Sequence, residues 1–457
     1  MKKVFVFLPD GVGLRNFVFG DFYEIGKQKN IDIIYWNNTD FPIHENYIRV
    51  KQGKSNWLAD LFKRSRSKIE LKQSYKKFKD EAYLSYSFTQ SFKTIKTAIK
   101  SSLVSMFSML FNSELGLKKV RSYIEKFERN SEYYFNVKKQ LQNEAPNFVF
   151  STNQRPLKAI APILAAKDLG IPTATFIFSW DNLPKGMLVL ETDYYYVWST
   201  YMKKELLKYY PFILEEQIKI TGTPQFEPHF NKKLIIDKNV FFKKNNLDLN
   251  KKYICFSGDD ITTSPNDQLY LEDVVKAIKS LNSKGFNLGL IYRKCPVDFS
   301  NRHMSIYNEY KDIMVLVDPL WENLGNGWNR VMPTENDTSL LVNTIKNTEM
   351  VINVGSSMVF DYVCHNKPCA FLNYNTDKSV DKNWNIEKIY KYIHFKSMPS
   401  KDAVLWINSK NKIEEVILKG LEMKNLSSTK EWFKTIAGEE PTKASNRIWE
   451  SIAKVVN

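Results

Sequence analysis

Four cysteines in 457 residues, Cys255, Cys295, Cys364 and Cys369, form no CxxC pair and have no histidine at metal-ligand spacing. A disulfide framework and a structural zinc site are thereby excluded, and a reducing compartment is implied. Nowhere do about 18 uncharged apolar residues run together, so no transmembrane helix is expected. Internal repeats, low-complexity segments, a Walker loop, GxSxG, HExxH and the kinase motif set are all missing. The opening "MKKVFVFLPDG" resembles a signal peptide only superficially. Its apolar run of about six residues breaks at Pro9-Asp10-Gly11, short of the roughly 7–15 that an h-region needs. It reads as a first buried strand, and a cytoplasmic protein is expected.

What is present is apolar material and positive charge. With 43% hydrophobic and 14% aromatic residues the chain can bury large cores, and its length predicts two or three domains. The formal net charge of +16 implies an anionic partner. Basic residues crowd the span of about 51–140, for example "LFKRSRSKIELKQSYKKFKD" (61–80), and within it lies the nearly uncharged "IKSSLVSMFSMLF" (99–111). RNA-binding motifs and zinc-finger spacings are absent, which disfavours nucleic acid. Basic helices beside an apolar helical stretch read as a surface docking on anionic lipid, peripheral to a membrane's inner face. The competing reading makes 99–111 a core helix and the lysines a solvated face.

Strand-like apolar runs at 3–9, 31–36, 147–152, 172–180, 194–199 and 218–222, then 252–258, 287–293, 313–318, 350–355 and 369–374, alternate with helical patterns such as 157–170 and 268–285. Continuous apolar strands mark parallel sheets covered on both faces. The expected fold is α/β: two Rossmann-like doubly wound domains facing a cleft, with a basic helical insertion in the first. The domains are expected at 1–230 (insertion about 51–140) and 250–430, separated by the polar, uneven stretch 231–252. Residues 431–457 are expected as a C-terminal helix packing back on the first domain.

Ligands of open α/β sheets bind at the carboxyl ends of the strands. In "VINVGSSMVFDYVCHNKP" (351–368) an apolar strand turns into a helix through Gly355-Ser356-Ser357. Glycine permits close backbone approach, and the first-turn N–H groups and both hydroxyls can hold a phosphate. Asp361, one turn on, can accept from ribose hydroxyls. The alternative is that a serine merely caps the helix. Arg293 and Lys294 end another strand, where a basic pair suits a diphosphate. Ser257 and Gly258 end a third; the following Asp259-Asp260 reads equally as a hydroxyl ligand or a turn.

These segments, with "YRKCP" (292–296), resemble the donor-binding half of GT-B glycosyltransferases. They are similar to bacterial surface-polysaccharide transferases and to CDP-glycerol glycerophosphotransferases. The chain has Asp361 where that family usually has Glu, and Arg293-Lys294-Cys295-Pro296 lacks the family's His. In the first half, "FSWDNLPKG" (178–186), "YYYVWSTYMKKEL" (194–206) and "IKITGTPQFE" (218–227) resemble the matching segments of the same transferases, so the likeness covers roughly 145–375.

Trp180, Asp181 and Asn182 leave a strand end with an aromatic face, a carboxylate and an amide, all useful to a sugar. "FLPDGVGLRNF" (7–17) has a weak GxG and would bring Asp10, Arg15 and Asn16 to the cleft. Asp10 and Asp181 are the candidate catalytic bases. No Asp-x-Asp follows an apolar strand, so neither a metal nor any other cofactor is expected, the nucleotide-sugar being a substrate. The resemblance implies a sugar transfer from a nucleotide-diphosphate donor to a lipid-linked or growing glycan. A polyol-phosphate transferase or a nucleotide-sugar epimerase on the same fold is the alternative.

Overall fold

The continuous apolar runs become parallel strands because only a sheet covered on both faces can bury side chains that point both ways. The computed structural model describes every residue except 52–55, 88–91, 326–329 and 382. It divides into two units, residues 1–224 with 436–457, and residues 225–435.

The first unit holds β1 (Lys2–Leu8), β2 (Ile31–Asn37), β3 (Tyr47–Ile48), β4 (Phe148–Ser151), β5 (Thr173–Phe176), β6 (Tyr194–Val197) and β7 (Ile218–Ile220). Their order is β3-β2-β1-β4-β5-β6-β7, all parallel, with Val4 of β1 opposite Ile33 on one side and Phe148 on the other. Five helices, Trp57–Phe78, Ala82–Ser85, Ile95–Leu110, Glu114–Arg129 and Glu132–Glu144, lie between β3 and β4. They are not an appendage. Phe62 stacks on Phe107 at 5.0 Å and on Phe127 at 5.7 Å, and this cluster is continuous with Trp36 and Phe7 from the sheet.

Nor is the insertion's charge all solvated. Arg66 is buried and donates to Glu70 Oε1 at 2.7 Å, and Lys63 Nζ donates to the Arg155 carbonyl at 2.7 Å. Chain-terminal helix Ala444–Val456 belongs to this unit: Trp449 Nε1 donates to the Phe22 carbonyl at 2.7 Å, the two rings 4.7 Å apart. A Cβ on Gly26 would stand 2.4 Å from Ile33 and 2.6 Å from Trp449, so only glycine admits the indole here.

The second unit holds β8 (Lys252–Ser257), β9 (Leu288–Arg293), β10 (Met314–Leu316), a small antiparallel pair β11 (Glu322–Asn323) and β12 (Val331–Met332), then β13 (Val351–Asn353), β14 (Cys369–Leu372) and β15 (Leu405–Ile407). The main sheet runs β10-β9-β8-β13-β14-β15, again parallel. The helix expected over 268–285 spans Asp267–Ser283, and Gly285 leaves it at φ +96.

The division falls earlier than the polar stretch 231–252 suggested. Residues 225–250 are part of the second unit. Ile236 N donates to Asn343 Oδ1 at 3.0 Å, Asn343 Nδ2 returns to the Leu234 carbonyl at 2.8 Å, and Phe241 and Phe242 are buried with Tyr253 and Val317. The segment looked like a linker because its many polar residues mask the few that anchor it: Phe241 and Phe242 in the core, and Ile236 and Leu234 through the Asn343 amide.

Candidate functional site

In each main sheet the chain winds outward in both directions from a central strand. A gap opens where the order reverses, at the carboxyl ends of β1 and β4 in the first unit and of β8 and β13 in the second.

Asp10 stands directly after β1. Its Oδ1 accepts from Val12 N at 3.1 Å and Gly13 N at 3.2 Å, capping the helix Gly11–Phe17. Its Oδ2 accepts from Asn153 Nδ2, which leaves the end of β4, so this pair spans the gap. Burial pushes the Asp10 carboxyl above its ordinary value, against the pull of Gly13 N–H, Asn153 and Arg155. The GxG of the sequence is a packing device: a Cβ on Gly13 would lie 2.7 Å from Thr152 Oγ1.

Asp181 follows β5 and accepts from Ser179 Oγ, from Asn182 Nδ2 at 2.8 Å and from Lys185 Nζ. Both carboxylates act electrostatically on Arg155, whose guanidinium lies over the Phe178 ring at 5.5 Å. Burial lowers the Arg155 pKa while Asp181 and Asp10 raise it, which places one cation in the field of both candidate bases. Beneath it, burial and the Arg155 charge bring Lys63 down to about 8.

Other first-unit expectations fare differently. Trp180 is buried and offers no aromatic face to a sugar. Arg15 Nε donates to Asn16 Oδ1 at 3.2 Å; Asn16 is buried, its Nδ2 without a hydrogen-bond partner. Asn182 is buried and orients Asp181. Asn153 and Arg155 went unread in the sequence, although "STNQRP" (151–156) is the polar end of a recognised strand and was the signal to follow.

In the second unit the gap is bounded by Asp259 after β8 and by Val354-Gly355-Ser356-Ser357 after β13. The Val354 N–H donates to the Asp259 carboxyl, and Asp259 N donates to Asp267 Oδ2 at 3.2 Å. Burial, and then the Asp267 charge, drive the Asp259 pKa well up, and burial brings Asp267 to about 7. The pair therefore retains a proton at neutral pH. Asp260 is the turn former: burial raises it, but bonds from Thr262 and Thr263 win and hold it below the usual carboxylate range.

Gly355 has φ +65, and a Cβ there would meet Ile389 at 2.9 Å and Phe395 at 3.0 Å, so packing as well as conformation requires glycine. Ser356 N donates to Asn353 Oδ1 at 2.8 Å, and the Ser357 side chain makes no capping bond to the short helix Met358–Val363. Both hydroxyls are half-buried at the gap. Ser257 is buried at the end of β8, and Gly258 N donates to the Arg293 carbonyl at 2.9 Å, where a Cβ would strike the Tyr292 hydroxyl at 2.8 Å.

Three expected ligands are spoken for. Arg293 is buried, and its Nη2 donates to both oxygens of Asp337, at 2.8 and 3.0 Å, while its Nη1 has no hydrogen-bond partner. Asp337 also accepts from Leu320 N at 2.9 Å and Trp321 Nε1 at 2.7 Å. Lys294 Nζ donates to the Ser300 carbonyl at 2.8 Å.

Asp361 does not wait for a ribose: its Oδ1 lies 2.9 Å from His229 Nε2, and His229 Nδ1 lies 3.1 Å from His365 Nε2. Neutral rings satisfy the chain if His365 Nε2–H donates to His229 Nδ1 and His229 Nε2–H to the carboxylate. Sequence spacing could not reveal partners 44 and 132 positions away.

No known sequence family matches the chain, and no curated protein matches it. Solved structures do. The UDP-GlcNAc 2-epimerase of Methanocaldococcus jannaschii superposes with TM-score 0.53 at 13% identity, over 99% of this chain and 100% of that one. A putative UDP-N-acetylglucosamine 2-epimerase of Listeria monocytogenes gives 0.54 at 11%, over 99% and 96%. A further UDP-N-acetylglucosamine 2-epimerase gives 0.50 at 12%, over 99% and 95%. At such identity the likeness establishes the fold alone: two Rossmann-like domains of the GT-B type.

Two outcomes follow from these pairings. Arg293→Ala or Asp337→Ala alone strands a buried charge and costs about 3–5 kcal/mol, whereas Arg293→Met with Asp337→Leu recovers most of it, read from urea unfolding. Burial, then His229, lower the His365 pKa from 6.5 to about 4. The unfolded chain then takes up a proton that the folded one refuses. Stability is therefore full above pH 7 and falls as pH drops toward 4, and His365→Gln flattens that part of the unfolding profile relative to wild type.

Proposed function

We propose that this chain is a GT-B-type glycosyltransferase that moves a sugar from a nucleotide-diphosphate donor to a lipid-linked or growing surface glycan without a metal ion. The observation that carries this reading is Asp10: a carboxylate at a switch point, made more basic by burial, held by two backbone N–H groups and Asn153, with Arg155 beside it. Four lone-pair positions against three donors leave one to accept a proton from an acceptor hydroxyl. Arg155 restrains the charge that develops, and Asp181 balances Arg155.

The nucleotide diphosphate belongs at the second unit's gap. There the Ser356 and Ser357 hydroxyls stand half-buried, and the protonated Asp259–Asp267 pair donates to phosphate instead of repelling it. Metal independence rests on the missing Asp-x-Asp motif. Asp10→Asn should lower sugar transfer by roughly 10²–10⁴-fold while leaving UDP, GDP or CMP binding by calorimetry unchanged. Undiminished turnover would remove Asp10 from the chemistry.

A nucleotide-sugar epimerase is the second reading, favoured by the two carboxylates, Asp10 and Asp181, around one arginine and by the names of the structural neighbours. Removing a proton from one face and returning it to the other takes two such groups. A donor incubated alone separates the readings: an epimerase yields an isomeric nucleotide-sugar, and a transferase leaves the donor's stereochemistry intact until an acceptor is added. A polyol-phosphate transferase instead releases a nucleoside monophosphate.

The helix Ile95–Leu110 supports a site of action at a lipid surface. It is amphipathic in the inverted sense. Ile95, Ile99, Met106, Met109 and Leu110 are exposed, while Ser101, Val104 and Ser108 are buried. At 100° per residue the exposed five fall within an arc of about 100°. Residues 92–113 contain no Asp or Glu, and Lys93, Lys96, Lys118 and Lys119 are exposed nearby in sequence. No helix among the described residues is long and apolar enough to cross a membrane. An anionic bilayer complements both the stripe and its charge. Met109→Asp with Leu110→Asp should abolish co-sedimentation with phosphatidylglycerol vesicles and leave far-UV circular dichroism unchanged; retained sedimentation would count against docking through this helix.

A further inference from the structure

Away from either switch point, the first unit contains a cavity of about 530 Å³. Helices Trp57–Phe78 and Glu114–Arg129 form one side of it. The turn Leu183–Gly186 and residues 208–212, the end of the helix Thr200–Tyr209 and the three residues after it, form the other. Its cations are mounted on rings. Lys208 Nζ lies 4.3 Å from the Phe78 centroid and 5.0 Å from that of Tyr209, and the Arg121 guanidinium lies 3.8 Å over Phe212.

Lys77 and Lys118 also line the cavity, and Lys118 pairs with no carboxylate among the described residues. Two carboxylates, Glu70 and Glu114, line the cavity beside these four cations; Glu70 is held by Arg66 at 2.7 Å, and Arg121 Nε already pairs with Glu191 at 2.8 Å. Cations braced on aromatic faces are partly immobilised before an anion arrives, which lowers the entropic cost of binding it.

Leu115, Leu117, Leu183, Pro184 and Pro211 give the cavity an apolar stretch of wall, with Gln73 and Ser74 as polar lining beside it. Leu115 is 76% exposed and follows Leu110 of the outward-facing helix by five residues. A small hydrophilic anion has no use for such a wall, whereas an apolar tail attached to a phosphate does.

We propose that this cavity seats the phosphate of an anionic amphiphile, with the tail leaving over Leu115. The binding itself does not depend on the transferase chemistry. One consequence does rest on that reading. The turn forming the cavity wall carries Lys185, whose ammonium pairs with Asp181, so a sugar linked to a phosphate seated here would lie beside the first-unit site.

The test is calorimetric titration of the full chain with two phosphate monoesters below their micelle concentrations, dihexanoyl phosphatidic acid and farnesyl phosphate. Dihexanoyl phosphatidylcholine and inorganic phosphate serve as controls. Saturable binding of either monoester, with neither control matching it, is the expected result. A preference for phosphatidate identifies a bilayer headgroup as the source, and a preference for farnesyl phosphate a lipid-linked acceptor.

Lys118→Ala with Lys208→Ala should weaken that binding roughly tenfold or more at unchanged circular dichroism. Asp10→Asn and the Met109/Leu110 variant should leave it intact, so failure of the transferase or docking reading would show separately. Equal binding of phosphatidylcholine or inorganic phosphate, or a lysine variant that binds like wild type, would overturn the proposal.

Discussion

A parallel sheet that winds outward from a central strand must part its connections on either side of that strand. The groups at the parting face neither helix layer. Both sheets of this chain are built on that constraint, at β1/β4 and at β8/β13. In each, a carboxylate immediately after the central strand receives a donor from the far side of the gap: Asn153 to Asp10, and the Val354 N–H to Asp259. The gaps are thus narrow, polar and clasped. In both, burial raises the pKa of the carboxylate that closes it, so the feature that positions these groups also tunes them.

Much of the conspicuous charge serves the fold instead. Arg293 and Asp337 neutralise one another where β9 meets the segment after β12, and Asp337 further gathers Leu320 N and Trp321 Nε1. Asp361 orients His229, which orients His365, so the helix after β13 is tied to the residues that begin the second unit. Breaking either buried pairing would cost several kcal/mol. At the two gaps themselves stand the Ser356 and Ser357 hydroxyls, the buried Asp259 and Asp267 carboxyls, and Arg155 in the field of Asp10 and Asp181.

The basic insertion divides along the same line. Its first helix turns Lys63 and Arg66 inward to bond Arg155 and Glu70, while the Ile95–Leu110 helix buries serines and exposes Ile, Met and Leu. The inward side of that helix is mixed: Phe107 stacks on Phe62 and Val104 is buried, while Lys68 bonds Ser105 at 3.1 Å and Lys100 bonds Asp60. Ile99, Met106, Met109 and Leu110 are exposed on its outward side. To the two sequence readings of 99–111, core helix or lipid face, the structure adds which residues turn inward, Val104 and Phe107, and which turn outward, Met106, Met109 and Leu110.

Apolar runs without alternation, such as "KVFVFLP" and "KYICFSG", were sufficient for two parallel α/β domains, because successive side chains point to opposite faces and a run that is apolar throughout must be covered on both. The same locality put Asp10, Asp181 and Gly355 at strand ends before any coordinates. What the tertiary structure alone decided was which of those groups are already engaged. Asp337 for Arg293, His229 for Asp361 and Asn153 for Asp10 are partners 44, 132 and 143 residues distant. A charge seen in sequence carries no mark of its counter-charge, since ion pairs and hydrogen bonds act over a few ångströms of space and not along the chain.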